Sequence, residues 1–205
     1  MLLSIALALF IISCGEKKDI DTKETPTVEQ EQKGESMSNS ESANSKLESR
    51  RAKGDTVAID WKKYPNIMPE ISGFTKSSPD ISSINAMGMN YSSFIQNYSK
   101  GENNISITII DYNTAVEMFS SAAGWKNFKM QTDNEESFSS VQEYSGAKDT
   151  WIFEEYLKNE KDANVVLAVN DRYFISINAN NQTSTEYAKG IAGKLLKDNK
   201  DLFLK

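Results

Sequence analysis

The sequence predicts an α+β fold in which an antiparallel sheet of about six strands carries two helices on one face. Three observations lead to this prediction: two hairpin patterns that are each followed by a helical pattern, a further hairpin between them, and a polar stretch ahead of all of them. The element order is β-β-α-β-β-β-β-α. Short connections of this kind favour antiparallel neighbours over crossover units.

The first hairpin and helix lie between residues 87 and 122. The segment MGMNYSSFIQNYS (87–99) is followed by KGENN and then by ISITII, whose alternate isoleucines share one face. In TAVEMFSSAA the apolar residues recur at i, i+3, i+4 and i+7, and Thr114 and Glu117 have the spacing of a capping box. We expect the helix to begin near Thr114 and Gly124 to end it.

A second unit of the same kind ends the chain. VVLAV (165–169), the turn Asn170-Asp171 and RYFISI (172–177) form a hairpin pattern, and Thr183 and Glu186 repeat the capping spacing before another helical pattern. The two units indicate either a duplicated β-β-α element or a chance recurrence of the common TxxE tetrad. The segments 137–144 and 150–157 supply the hairpin between them.

The start of the chain carries a different signal. Residues 1–13, MLLSIALALFIIS, are apolar but too short for the roughly 20 residues that span a bilayer, as in an export signal. The run stops at Ser13-Cys14-Gly15, and this stretch resembles a bacterial lipobox. The resemblance implies cleavage between Ser13 and Cys14 by signal peptidase II, acylation of Cys14, and attachment to a membrane through the acyl chains.

Residues 14–54 are expected to form a lipidated, disordered tether. The segment after Cys14 contains no aromatic residue and only four large aliphatic ones, too far apart for a helical stripe or strand alternation. From Asp55 onward aromatic and aliphatic residues become frequent. We therefore predict a single globular domain over residues 55–205.

Composition narrows the classes of activity. The formal net charge is −6, which disfavours nucleic acid as a partner. The chain has no histidine and one cysteine, so the usual general base and the thiolate zinc sites are missing. No P-loop, dinucleotide fingerprint, nucleophile elbow or calcium loop occurs. The sequence therefore predicts neither a cofactor nor a metal, and a protein that is not an enzyme.

A few acidic residues are candidates for chemistry, but each has a simpler interpretation. Asp111 follows a strand and could line a cleft, although such an Asp more often caps or turns the chain. Glu154 and Glu155 are strand neighbours that face opposite sides, and a solvated edge explains both. Asp171 and Arg172 at a hairpin tip require only turn chemistry.

The aromatic residues Trp125, Trp151 and Tyr173 are the candidates for contact with a ligand or partner. They belong to a larger set that could line a groove between helix and sheet or could fill the core. The indole of Trp125, next to Gly124, either seals the helix onto the sheet or lies exposed as an anchor.

These patterns predict a lipid-anchored protein of the bacterial cell envelope, favouring the outer membrane, whose domain binds an envelope protein or a small ligand. Two other interpretations stay open: a structural or interaction lipoprotein exposed at the cell surface, and a hydrolase that uses carboxylates alone. The last would need two acids to converge in one pocket.

Overall fold

The fold of the described residues is built on one antiparallel sheet of nine strands, where the sequence predicts about six. A computed structural model describes residues 44–86, 89–126 and 128–204, and all of them belong to one compact unit. The strands are β1 (Thr75–Lys76), β2 (Asp80–Ala86), β3 (Met89–Lys100), β4 (Asn103–Asp111), β5 (Met130–Asp133), β6 (Ser137–Glu143), β7 (Thr150–Leu157), β8 (Asp162–Val169) and β9 (Tyr173–Ala179).

The spatial order of the strands is β1-β3-β4-β9-β8-β7-β6-β5, and β2 also pairs with β3. Two of the three predicted hairpins, β3-β4 and β8-β9, lie side by side because β4 pairs with β9 at the centre of the sheet. The strands that the sequence prediction missed, β1, β2 and β5, lie at the two edges. Edge strands are largely solvated, so they lack the apolar alternation by which a strand is recognised.

Five helices occur among the described residues. A helix over residues 44–52, here α1, precedes a 3₁₀ turn at Trp61–Lys63. The others are α2 (Tyr64–Ile67), α3 (Val116–Ala122), α4 (Glu186–Asp198) and α5 (Lys200–Phe203). None of these helices is both long and apolar enough to cross a membrane.

Helices α3 and α4 lie on opposite faces of the sheet, not on one face as predicted. Helix α4 packs on the face that carries Ile109, together with most of the core. Helix α3 packs on the other face, near Ile110 and Phe174. Successive strand residues point to opposite sides, so Ile109 and Ile110 mark the two faces. Below, the α4 face is the side of Ile109 and the α3 face is the side of Ile110.

The placement of α3 and α4 also bears on the proposed duplication. A rotation that superposes the hairpin β3-β4 on the hairpin β8-β9 within the sheet does not exchange the two faces of the sheet. In a simple duplication, the helices that follow the two hairpins would therefore lie on the same face. Because the helices lie on opposite faces, the units β3-β4-α3 and β8-β9-α4 have opposite hand and do not superpose. The architecture thus contains two hairpin-helix units without the symmetry that a simple duplication would produce.

Neither predicted capping box forms. Helix α3 begins at Val116 after Ala115, and α4 begins at Glu186 after Thr185, in both cases without a side-chain cap. The Thr114 hydroxyl accepts a hydrogen bond from the Asn90 N–H, and the N-cap position of α4 is occupied by Thr185 and not by the predicted Thr183. The Thr185 hydroxyl donates to Glu154, so distant parts of the chain engage the hydroxyls of both Thr114 and Thr185.

Helix α1 lies ahead of the predicted domain boundary at Asp55. Residues 44–52, assigned to the disordered tether by the sequence prediction, form α1, and Leu47 is buried against Val116 at the start of α3. A single buried leucine at one position gave no periodic signal in the sequence. The predicted signal peptide, Ser13 and Cys14 lie outside the described residues.

Candidate functional site

Asp111 forms a buried ion pair with Arg172 at the shared end of β4 and β9. Its Oδ1 accepts from Arg172 Nε at 2.7 Å, and its Oδ2 accepts from Nη2 at 2.8 Å. Asp111 is fully buried and Arg172 nearly so. Burial alone lowers the pKa of Arg172, but the hydrogen bonds and charge of Asp111 raise it above its ordinary value. The guanidinium is therefore always charged, and Asp111 lines no open cleft.

This ion pair fastens the segment that enters the domain. Arg172 Nη1 donates to Asp55 at 2.6 Å, and the backbone N–H of Ile59 donates to Asp111 Oδ2 at 2.8 Å. Asn113, which has a positive φ of 23°, donates through its side chain to the Val57 carbonyl. Residues 55–59 are thus held against the end of the sheet, which gives this polar cluster a structural role.

Helix α1 is joined to the same cluster. Arg50 Nη2 donates to the Asn113 carbonyl at 2.9 Å. Burial and the neighbouring charge of Arg172 lower the pKa of Arg50. The Oδ1 of Asn113 and the Nε of Arg50 are both buried without a hydrogen-bond partner among the described residues. The contact between α1 and the sheet end is therefore imperfectly satisfied.

Asp171 lies in a second charged cluster beside the first. Its carboxylate pairs with Lys126, which follows α3, and with Lys46 of α1 at 3.1 Å. Lys46 also lies 3.5 Å from Asp149. Burial raises the pKa of Asp171, but the two lysines outweigh it, and the net pKa is below the ordinary value. Asp171 and Arg172 are thus buried ion-pair residues, contrary to the prediction that they serve only the turn.

Glu154 is likewise buried, contrary to the prediction of a solvated edge. It lies on the α4 face, where it accepts from the Thr185 hydroxyl at 2.6 Å and from Lys189 Nζ at 3.2 Å. Burial lowers the pKa of Lys189, but Glu186 and Glu154 raise it above its ordinary value, so this amine is a cation and a poor base. Glu155 lies on the opposite face. The described residues contain no group of three or more acidic or cysteine side chains arranged to hold a metal.

Tyr173 lies in the core and not at a surface. Only 2% of it is exposed, its ring packs edge-on against Phe203 with the ring centroids 5.0 Å apart, and its hydroxyl donates to the Leu202 carbonyl. Burial raises the pKa of the Tyr173 hydroxyl, with a further contribution from Asp111. The structure therefore separates Tyr173 from the other two predicted contact residues.

Trp125 and Trp151 both lie half-buried on the α3 face. Trp125 packs against Phe153, with ring centroids 6.0 Å apart. Phe153 pairs across the sheet with Val141, and Val141 pairs with Met130 on the edge strand. These side chains make an apolar row that runs to the edge of the sheet, where Met130 is 48% exposed.

A cleft borders this row at the turn between β6 and β7. Its volume is about 620 Å³, and Trp151 and Tyr144 contribute aromatic walls while Glu143, Lys148 and Asp149 contribute charge. Lys129 bridges row and cleft, since its Nζ lies 3.2 Å from Glu143 and 5.9 Å from the centroid of the Trp151 ring. A partly exposed indole beside charged groups is suited to contact with a ligand or a partner.

The cations whose ion-pair or hydrogen-bond partners the sequence prediction missed share one property. Lys46, Arg50 and Arg172 find their partners through contacts between distant parts of the chain; Arg172 and Asp111 are 61 positions apart. A pairing over that distance leaves no local pattern. The absence of acidic residues near Arg172, apart from the turn residue Asp171, is the one hint that it needs a distant partner.

Comparison with known proteins gives little further information. No protein-family model matches the chain, and no curated protein matches it. The solved structure of an uncharacterized protein from Mycobacterium smegmatis aligns with 66% of this chain and 92% of its own length. Its sequence identity is 9% and its TM-score is 0.34, values too low to support a functional comparison.

Proposed function

We propose that this chain is a lipid-anchored protein of the bacterial cell envelope, in the outer membrane, whose domain binds a partner and does not catalyse a reaction. The anchor rests on the lipobox-like Ser13-Cys14-Gly15 at the end of an apolar run. Its acyl chains would tie the domain to the membrane, since two or three chains hold a protein stably where one does not.

The observation that supports a binding role is that the buried acidic residues are engaged in ion pairs within the fold. Asp111, Glu154 and Asp171 are all buried and all paired with cations inside the fold. A carboxylate-based hydrolase needs two acids that share a pocket and can change protonation. The two acids that line the cleft, Glu143 and Asp149, are each paired with a lysine, Lys129 and Lys46 respectively. The buried carboxylates instead stabilise the domain, while Trp151 stands half-exposed at the cleft. This division of roles supports a binding domain.

The anchor is tested by labelling cells with a palmitate analogue, comparing the wild type with Cys14→Ala. We expect label on the wild type and none on the variant. An unlabelled wild type would leave a secreted domain without an anchor. Protease added to intact cells then separates a periplasmic domain, which is protected, from a surface-exposed interaction lipoprotein, which is digested.

The binding role is tested by placing a photo-reactive amino acid at Lys148 in the cleft wall and, as a control, at the exposed Lys197 on α4. A partner of the cleft should crosslink at position 148 and not at 197, and Trp151→Ala should reduce the yield. Crosslinking that is equal at both positions would count against the cleft.

A further inference from the structure

Trp125, Phe128, Lys129 and Met130 form an exposed surface, here named the Trp125–Met130 patch. Phe128 is 49% exposed and Met130 is 48% exposed, while Lys129 between them is 67% exposed at its side chain. Trp125 lies half-buried at the start of the segment. Large apolar side chains at this exposure, interleaved with lysine, mark an interaction surface.

The sheet provides a rigid support for the patch. Trp125 packs on Phe153, and the row through Val141 to Met130 lies directly across neighbouring strands. Lys126 is fixed by its ion pair with Asp171. Met130 is therefore held by the pairing of β5 with β6, and Trp125 is held by its packing on Phe153.

The course of the chain indicates what covers this patch. The first described helix, α1, places Lys46 against Asp171, the same residue that binds Lys126 of the patch segment. The chain thus leaves the described domain, towards its N-terminus, beside the patch. If Cys14 is acylated, the point at which the described domain joins its membrane tether is therefore beside the patch.

We propose that the Trp125–Met130 patch is a second membrane contact, which rests on the bilayer surface and orients the domain above it. Trp and Lys are favoured at the membrane–water interface, where an indole meets the headgroups and a lysine stem lies along the apolar region with its ammonium in water. The half-exposed Phe128 and Met130 supply the apolar side chains that enter the interface. This inference rests on the proposed lipid anchor.

Because the proposed lipid anchor already keeps the domain near the membrane, a weak contact between the patch and the bilayer is sufficient to orient the domain. If residues 15–43 behave as the disordered tether that their composition predicts, they span roughly 30 Å. Such a tether holds the patch near the bilayer at an effective concentration of roughly millimolar. A contact of roughly millimolar affinity is then about half populated, although the isolated domain would bind vesicles barely or not at all. The cleft beside Trp151 would be held close to the membrane surface.

The single cysteine allows this contact to be tested without the natural acylation. The chain from Cys14 onward contains every described residue, and its one thiol can be coupled to a maleimide-headgroup lipid in phosphatidylcholine vesicles. Vesicles with brominated acyl chains quench tryptophans that enter the interface. The readout is the quenching of the coupled protein relative to vesicles without bromine, with Trp125→Phe to assign the signal.

We expect clear quenching of the tryptophan fluorescence in the wild type. The quenching should fall by at least about twofold in Phe128→Glu and in Met130→Glu, and it should not change in Ile84→Glu. Ile84 is the matched control because it is 40% exposed on β2, near the opposite edge of the sheet. Circular dichroism of each variant confirms that it folds, and two patch variants guard against the failure of one.

Unquenched tryptophan in the coupled wild type, or equal quenching in the patch and control variants, would overturn the membrane contact. The first result would instead favour a protein partner for the patch. Because coupling is chemical, these results are independent of acylation. The palmitate experiment alone decides the anchor.

Discussion

Both carboxylate oxygens of Asp111 bind the Arg172 guanidinium, at 2.7 Å to Nε and 2.8 Å to Nη2. This pair joins the ends of the two central strands, and the same carboxylate holds the backbone N–H of Ile59 and of Asn113. One buried acid thus organises the entry of the chain, the centre of the sheet and the turn that leads to α3.

Asp111→Asn should be strongly destabilising. The substitution leaves the buried Arg172 guanidinium without its principal countercharge, and breaking a buried pair in this way costs about 3–5 kcal/mol. Urea denaturation measures the loss. As a control, Asp198→Asn removes an exposed ion pair with Lys194 on α4 and should change stability by less than about 0.5 kcal/mol. Equal small effects of both substitutions would contradict the role of Asp111.

The stability of the domain should fall in acid partly because of Asp171. Its pKa is lower in the folded state than its ordinary value, so its stabilising contribution is complete above the unfolded pKa of about 4. As the pH falls below about 4, the unfolded chain binds the proton first, and the contribution is lost as the pH passes through the lower folded pKa. Unfolding free energies at pH 7 and at about pH 3 should therefore differ less in Asp171→Asn than in the wild type. Equal differences would show that Asp171 is not preferentially charged in the folded state.

Two glycines of α4 provide a matched pair of substitutions. Alanine at Gly190 meets no atom within 4 Å, so Gly190→Ala should stabilise the helix by about 0.5–1 kcal/mol. A Cβ at Gly193 would lie 2.8 Å from the Tyr144 hydroxyl, so the ring must shift and the gain is reduced or reversed. Thermal unfolding should give a Tm for Gly190→Ala that is about 2–4 °C above the wild type and also above Gly193→Ala. The reverse order of the two variants would show that Tyr144 does not pack on α4.

Helix α1 should detach when its one buried apolar contact is lost. Leu47 is 5% exposed and contacts Val116, while the other contacts of α1 are polar. Leu47→Ser should therefore release α1 without unfolding the sheet. Limited trypsin digestion is expected to cut after Arg50 or Arg51 much faster in this variant than in the wild type. Unchanged cleavage, with unchanged thermal stability, would mean that Leu47 does not hold the helix.

The sequence predicted those parts of the fold whose patterns are local. The strand TWIFEEYL has the predicted bounds, 150–157, and the hairpin turn at Asn170-Asp171 has the positive φ angles that a tight connection requires. The antiparallel α+β class follows from such elements and is confirmed. The edge strands β2 and β5 were missed because DISSINA and MQTD face solvent too much to alternate.

The features that were mispredicted depend on contacts between distant residues. The face to which α3 turns is decided after β4 ends, where Asn113 adopts a positive φ and binds Val57. The N-cap position of α4 is occupied by Thr185 and not by the predicted Thr183, and the Thr185 hydroxyl donates to the distant Glu154. Of the predicted contact residues, Trp125 and Trp151 remain at a surface, whereas Tyr173 is enclosed by α5, a four-residue helix that the sequence prediction did not include.

The central claim is that Cys14 fixes this domain to a membrane. The most direct measurement is the intact mass of the protein purified from its own membranes in detergent. We predict a chain that begins at Cys14 and carries the added mass of two or three acyl chains. A chain that retains residues 1–13, or one that begins elsewhere with an unmodified Cys14, would contradict the anchor and the membrane orientation that depends on it.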